Sequence, residues 1–231
     1  MQDTLAFAIY RGTGERPVLI GSGRTDAGVH AMAQVVNFHV HSDIPPDKFK
    51  YVINAFLPDD ICVHESTLVP DDFHAQFHAT RKEYVYKIFN SPNRSVFHAK
   101  YAYWVGRKLN VEAMAHACGY FVGTHDFTAF CASGSKVKAF TRTIYSAALT
   151  VEDGLIAFSV AGNGFLYNMV RIMAGTLIEI GEGRLNKDAI PLIIKSKDRR
   201  RAGRTVPPQG LYLKEVSYER QHDSIFGMAD D

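Results

Sequence analysis

Arg24 and Asp26 stand two residues apart in Gly23-Arg24-Thr25-Asp26-Ala27-Gly28-Val29-His30-Ala31, a loop that Ser, Asn, Gly or Pro would ordinarily fill. Its glycines allow tight turning or close approach to a ligand. A positioned carboxylate can act as a base, a nucleophile or a cation ligand. The same Arg-x-Asp in a glycine loop can equally be a turn cap with a neutralising neighbour. Two further side chains carry comparable potential. Tyr84, within Arg81-Lys82-Glu83-Tyr84-Val85-Tyr86-Lys87-Ile88, offers an aromatic face and a hydroxyl, although burial in a core is the commoner fate of a strand tyrosine. Arg171, in Phe165-Leu166-Tyr167-Asn168-Met169-Val170-Arg171, lies off a strongly apolar helical stripe. Partly buried, it needs an anion; otherwise it snorkels to the surface.

The elements that position these residues can be read from periodicity. Pro17–Ile20 and Gln34–Val40 flank the Asp loop as short Val- and Ile-containing strands. Gln2–Arg11 is expected as a helix with Leu5, Ala8 and Ile9 on one face, ended by Gly12 and Gly14. Pro45-Pro46 opens a second helix whose stripe is Phe49, Val52, Ile53 and Phe56. Ile61, Val63 and Val69 suggest a half-buried strand, and 81–89 a strand with Tyr84, Tyr86 and Ile88 on one face. Asn110 caps a helix over 111–122 with the stripe Val111, Met114, Ala115 and Cys118. Gly123–Phe127 is expected as a loop, followed by a mobile segment from Ala132 to Lys138, and 143–151 with 155–161 form a hairpin around Asp153-Gly154. A helix from Leu166 to Ile180 carries Leu166, Met169, Val170, Met173, Leu177 and Ile180 inward. Asn186 caps a short last helix, 210–218 is a closing strand, and the tail beyond Glu219 is loosely held. Hairpins mixed with crossovers point to an α+β fold: two α/β units, residues 1–78 and 79–231, with a largely antiparallel mixed sheet and flanking helices.

Other chemistry is poorly represented. His74 and His78 are at i, i+4 without the glutamate of a zinc-protease motif, and His39 and His41 lack a third ligand, so no metal is expected. Gly134-Ser135-Lys136 fails the P-loop spacing, and Gly21-x-Gly23 lacks a third glycine. No Ser-His-Asp or Cys-His arrangement is recognisable. Cys62, Cys118 and Cys131 are too few and scattered for a disulfide framework and fit reduced thiols of a cytoplasmic protein. Across 231 residues no apolar run approaches the roughly 20 needed to span a bilayer, and no signal peptide opens the chain. The formal charge is only +2, but Arg81-Lys82, Arg107-Lys108, Lys136–Lys138 and Lys195–Arg204 are basic runs that could meet phosphates if they shared a face.

The string GRTDAGVHA resembles the signature loop of the TruA-type tRNA pseudouridine synthases. GNGFLYNMVRIMAGTL resembles a second hallmark of that family, and the approach from Ala79 through Tyr84 to Ile88 a third. Gly123–Phe127 and Pro207-Pro208-Gln209-Gly210-Leu211-Tyr212-Leu213 agree with it as well. The resemblance implies the pseudouridine synthase fold and a cofactor-free isomerisation of uridine to pseudouridine in the anticodon stem-loop of tRNA, positions 38 to 40. It implies Asp26 as catalytic nucleophile, Arg171 as its partner through a forked hydrogen bond, Tyr84 stacked on the uracil, and Arg24 contacting phosphate where the base has left. Attack at the ribose C1′ and at C6 of the base both stay open. It also implies a homodimer. Family sequences begin with a strand and a Y-D-G-T turn ahead of the helix that here starts at the first residues. The N-terminal unit is therefore expected to lack a strand. The competing class is a non-catalytic RNA-binding protein on the same fold; intact Asp26, Tyr84 and Arg171 favour the enzyme.

Overall fold

A computed structural model describes residues 1–135 and 137–219. Lys136 of the basic run and the tail expected to be loosely held lie outside the described residues. In chain order the elements are α1 (Gln2–Thr13), β1 (Ile20–Gly21), β2 (His30–Ala31), β3 (Val36–Asn37), α2 (Phe49–Asn54), β4 (Ala79–Asn90) and β5 (Tyr103–Val105). There follow α3 (Val111–Cys118), β6 (Gly123–Asp126), β7 (Thr141–Glu152), β8 (Leu155–Gly162), α4 (Met169–Gly181), α5 (Ile190–Ser196) and β9 (Leu211–Tyr218). Contacts group them into two units. One holds 1–24, 34–80 and the described residues from 217 on; the other holds 25–33 and 81–216, so the Asp26 loop groups with the later part of the chain.

The first unit is built on α1 and α2. Ala8 and Ile9 of α1 and Ile53 of α2 form its buried centre, with Leu5, Phe49 and Val63 packed around it. Gly12 lets the helices approach, since a Cβ there would stand 2.4 Å from Val52 Cγ1. Gly14, at φ 81°, ends α1 by donating its N–H to the Tyr10 carbonyl, in the left-handed conformation that glycine adopts without steric cost. The strands expected over 17–20 and 34–40 shrink to the two-residue pair β1 and β3. The strand expected through Ile61, Val63 and Val69 forms no ladder. The Asn54 side chain donates to the Val63 carbonyl at 2.8 Å and accepts its N–H at 2.7 Å, so a side chain replaces the partner strand.

The second unit carries most of a seven-stranded sheet, in the order β2-β9-β4-β8-β7-β6 with β5 beside β4. β4, β8, β7 and β6 run antiparallel in succession, whereas β2 pairs with β9 and β5 with β4 in parallel. The mixed, mostly antiparallel α+β reading therefore holds. Tyr86 and Ile88 of β4 are fully buried, as the alternation requires. β7 and β8 turn through Asp153 and Gly154, both at positive φ (47° and 78°), the geometry of a two-residue hairpin. Gly123–Asp126 is a strand rather than a loop, because its backbone pairs with Thr141–Ile144 of β7.

Helix α4 is buried on nearly every side, with Ile172, Ala174 and Ile178 joining the expected stripe. Each large apolar side chain so buried contributes about 1.5–3 kcal/mol. It starts at Met169 rather than Leu166, since Asn168 adopts a left-handed φ of 59°. In α3, Asn110 Oδ1 accepts the Ala113 N–H at 3.0 Å as expected, but Ala117 rather than Ala115 faces the core. Asn186 accepts the Asp188 N–H in a turn, and α5 starts later, at Ile190.

Burial leaves a pH signature. The Tyr84 phenol and the Cys118 thiol are both pushed up to about 12, Tyr84 by burial and then by the charge of Asp26, Cys118 by burial alone. The folded state thus favours their protonated forms. Their stabilisation is complete below the unfolded values near 10 and 9 and disappears as pH rises towards about 12. Thermal melts from pH 8 to 11.5 are expected to fall progressively above pH 9, and Cys118→Ala to remove the earliest part of the fall. A flat profile would contradict this origin.

Candidate active site

The Asp26 loop is held by the strand that follows it. Val29 donates its N–H to the Asp26 carbonyl at 3.1 Å, closing a turn in which Gly28 sits at φ 83°. Its positive φ favours glycine, and a Cβ there would stand a tight 3.1 Å from Pro208 Cγ. Val29 is buried in the core of the second unit, and His30 and Ala31 pair in register with Tyr212 and Leu213 of β9. The His30 ring stacks on Tyr212 at 4.6 Å. The Asp26 backbone is thereby tied to the sheet that also carries Tyr84.

Arg171, on the first turn of α4, meets this loop. Its Nη1 donates to Asp26 Oδ2 at 2.9 Å and to Asn168 Oδ1 at 2.7 Å, while Nε donates to the Val206 carbonyl at 2.7 Å. The pair rests on a single N–H···O bond to Asp26 in place of the expected two-pronged fork, because the second Nη1 donor goes to Asn168 and the Nε donor to Val206. The Arg171 side chain is 15% exposed and that of Asp26 35%, so the carboxylate is the more accessible partner. The bland reading, in which Arg24 neutralises Asp26, gives way to an ion pair between residues 145 positions apart. The Val206 carbonyl reaches Arg171 because the chain at 203–206 lies directly against α4. Thr176 Oγ1 accepts the Gly203 N–H at 2.9 Å.

Tyr84 lies on the same face of β4 as Tyr86 and Ile88, and its ring meets Phe165 edge-on at 5.1 Å. With its phenol pushed up by burial and by Asp26, the hydroxyl stays protonated at neutral pH and serves as a donor or proton relay rather than a phenolate base. Beneath it, Tyr86 donates its hydroxyl to the Pro207 carbonyl at 2.7 Å. The structure thus brings together Asp26 and Arg171, and couples Tyr84 to Asp26 electrostatically.

Other predicted features are distributed differently. Arg24 is exposed and groups with the first unit. The run Lys195–Arg204 is not a uniform basic surface. Arg199 donates to the Ala202 and Gly203 carbonyls and to Thr205 Oγ1, and Arg200 pairs with Asp198 at 2.8 Å. Asp126 of the GTHDF motif accepts from Thr128 and pairs with Lys197 at 2.7 Å; the Lys197 bond, with the bonds from Thr128, holds its carboxyl below the usual range. His74 stacks on Phe77. Among the described residues no three His, Cys, Asp or Glu side chains form a metal-binding group. Three contributors escaped the sequence reading: Asn168, the Val206 carbonyl and Phe165. An Asn at i−3 from an off-stripe Arg was a usable signal for the first; a backbone carbonyl 35 residues away leaves none.

A family model described as tRNA pseudouridine synthase matches residues 1–78 and 117–219. The chain is 52% identical over 218 residues to tRNA pseudouridine synthase A of Acetivibrio thermocellus, covering 94% of this chain and 89% of that protein. It is 48% identical to the protein of the same name from Caldicellulosiruptor bescii over the same shares. A further relative so named, from Clostridium acetobutylicum, is 48% identical over 206 residues, covering 89% of this chain and 84% of its own length. No helix among the described residues is long and apolar enough to cross a membrane. Matched over most of its length and holding Asp26, Tyr84 and Arg171 in one unit, the chain belongs to the TruA-type tRNA pseudouridine synthase family of isomerases.

Proposed function

We propose that the protein isomerises uridine to pseudouridine at positions 38 to 40 of the tRNA anticodon stem-loop, with Asp26 as the nucleophile. The observation that carries this reading is the Asp26–Arg171 contact at 2.9 Å in a loop whose backbone is fixed by the turn to Val29 and the register with β9. A carboxylate held in one orientation by a charged donor is prepared for attack without reorganisation. The N1–C1′ bond breaks, the uracil turns, and a C5–C1′ bond forms. The C5 hydrogen leaves as a proton and N1 gains one, so no oxidant, energy source or external group is required.

A uridine in a stem must leave the stack to reach Asp26, at a cost of a few kcal/mol that is smallest in or beside a loop. Tyr84 supplies a stacking face worth about 1–3 kcal/mol. Its protonated hydroxyl serves the transfer at C5. Arg24, exposed two residues before Asp26, contacts phosphate. In this reading residues 1–78 contribute Arg24 and Asp26, residues 79–231 contribute Tyr84 and Arg171, and the enzyme works as a cytoplasmic homodimer.

The test is tritium release from tRNA transcripts labelled at uracil C5. Release is expected from wild-type tRNA and is lost when positions 38, 39 and 40 carry no uridine. Undiminished release from the second transcript would overturn the positions, and none from the first would overturn the activity. Tyr84→Phe keeps the stacking ring and loses the hydroxyl. Its kcat is expected to fall by about 10²–10⁴-fold, with KM changed little; equal losses in both variants Tyr84→Phe and Tyr84→Leu would instead assign the whole effect to the hydroxyl and none to stacking.

A further inference from the structure

Arg171 is held by more than its ion pair. Both N–H bonds of Nη1 are engaged, one by Asp26 Oδ2 at 2.9 Å and one by Asn168 Oδ1 at 2.7 Å, and the single N–H of Nε goes to the Val206 carbonyl at 2.7 Å. Nη2 makes no hydrogen bond among the described residues. A guanidinium is planar, so fixing Nε and Nη1 fixes the direction of Nη2 as well. Asn168 achieves this from an unusual backbone position. It is the residue preceding α4, at φ 59° and ψ 10°, where most side chains are strained and Asn is among the few tolerated. At that position its side chain caps no backbone N–H of the helix. The usual reward for Asn at a helix start is therefore forgone, and its carbonyl oxygen is spent on Arg171 instead.

We propose that Asn168 is a positioning residue for the reaction: it locks the Arg171 guanidinium in the one rotation that presents Nη1 to Asp26 and leaves both Nη2 donors for an acceptor of the bound nucleotide. Without the Oδ1 acceptor, the Nε bond to Val206 persists, but rotation about Nε–Cζ, which exchanges Nη1 with Nη2, is no longer opposed by Asn168. The bond to Asp26 then forms only part of the time, and the carboxylate loses its fixed direction of attack. The inference rests on the roles proposed above for Asp26 and Arg171.

Asn168→Gly is the informative substitution, because glycine accepts the left-handed backbone and removes only the acceptor. Asn168→Ala adds backbone strain and serves as the comparison. With the tRNA substrate, Asn168→Gly is expected to lower kcat by about 10–100-fold, the cost of a loosened catalytic geometry, while KM stays near wild type and the melting temperature is maintained. Asn168→Ala should show the same kcat loss together with a lower melting temperature. A second readout is independent of turnover. In the ¹⁵N spectrum of the arginine side chains, wild-type Arg171 should give separate, slowly exchanging Nη signals, and Asn168→Gly should merge them while leaving the Nε–H signal protected. Unchanged Nη signals would overturn the lock, and merged signals with wild-type kcat would overturn its role in the reaction. If Asp26 and Arg171 variants retain wild-type turnover, the underlying assignment fails instead, a result the Asn168 spectra do not depend on.

Discussion

Asp26→Asn is expected to abolish tritium release while leaving a folded protein that still binds tRNA. Asparagine is nearly the same size, and the turn at this position uses the backbone carbonyl, which the substitution leaves in place. Arg171 keeps its bonds to Asn168 and Val206 and can donate to the new amide oxygen. The Asp26 side chain is 35% exposed, so loss of the ion pair is worth about 1 kcal/mol of stability after solvent screening. A neutral amide, however, cannot form the covalent bond. Removing a nucleophile that acts together with its partners costs upward of about 10⁴-fold in rate, or more than about 5 kcal/mol of barrier. The melting temperature is expected within a few degrees of wild type, and the salt-dependent affinity for an anticodon stem-loop is expected to be preserved. Release persisting at more than a few per cent of wild type would remove Asp26 from the chemistry.

How far this site could be read from sequence depended on what held each residue in place. Asp26 and Arg171 stood out because a charged pair in a glycine loop and a charged residue beside an apolar stripe both depart from default composition. The resemblance then supplied the order in which they belonged together. The hairpin around Asp153-Gly154 and the alternation of β4 were legible because local backbone preference and burial agree there. Gly123–Asp126 was not, since a short polar segment becomes a strand only through its partner β7. The Ile61–Val69 segment failed in the opposite sense: its alternation is real, but Asn54 takes the Val63 backbone groups that a neighbouring strand would have paired. The fork expected between Arg171 and Asp26 became one bond for a similar reason. Competing acceptors came from Asn168, whose left-handed backbone shortened the predicted helix, and from Val206, which no local pattern announces. Runs of like charge were the least informative signal, because Arg199 and Arg200 are consumed by their own loop.

Gly175→Ala is expected to be strongly destabilising, and to harm turnover beyond its effect on stability. In an exposed helix the replacement would help by about 1 kcal/mol. Here the added Cβ would stand 1.8 Å from the Arg204 carbonyl oxygen and 3.3 Å from Val206 Cγ1, and backbone cannot swing aside as a flexible side chain can. The opposing surface is equally tight, with a Cβ on Gly203 falling 2.5 Å from the Thr176 nitrogen. Two glycines thus let segment 203–206 lie against α4, where Thr176 accepts the Gly203 N–H and Arg171 reaches the Val206 carbonyl. Accommodating the methyl group requires that segment to lift. The overpacking costs about 3 kcal/mol, and for a chain of 231 residues this lowers the melting temperature by roughly 6–12 °C. The lift also draws the Val206 carbonyl from Arg171 Nε and loosens the guanidinium that faces Asp26. At a temperature where the variant is fully folded, kcat should therefore still be reduced. Gly119→Ala provides the control, since nothing lies within 4 Å of a Cβ there and its φ is helical; it should melt with wild type or slightly above. If Gly175→Ala melts alongside Gly119→Ala, the close approach does not hold the site together. If it is destabilised yet turns over normally when folded, Val206 does not help to position Arg171.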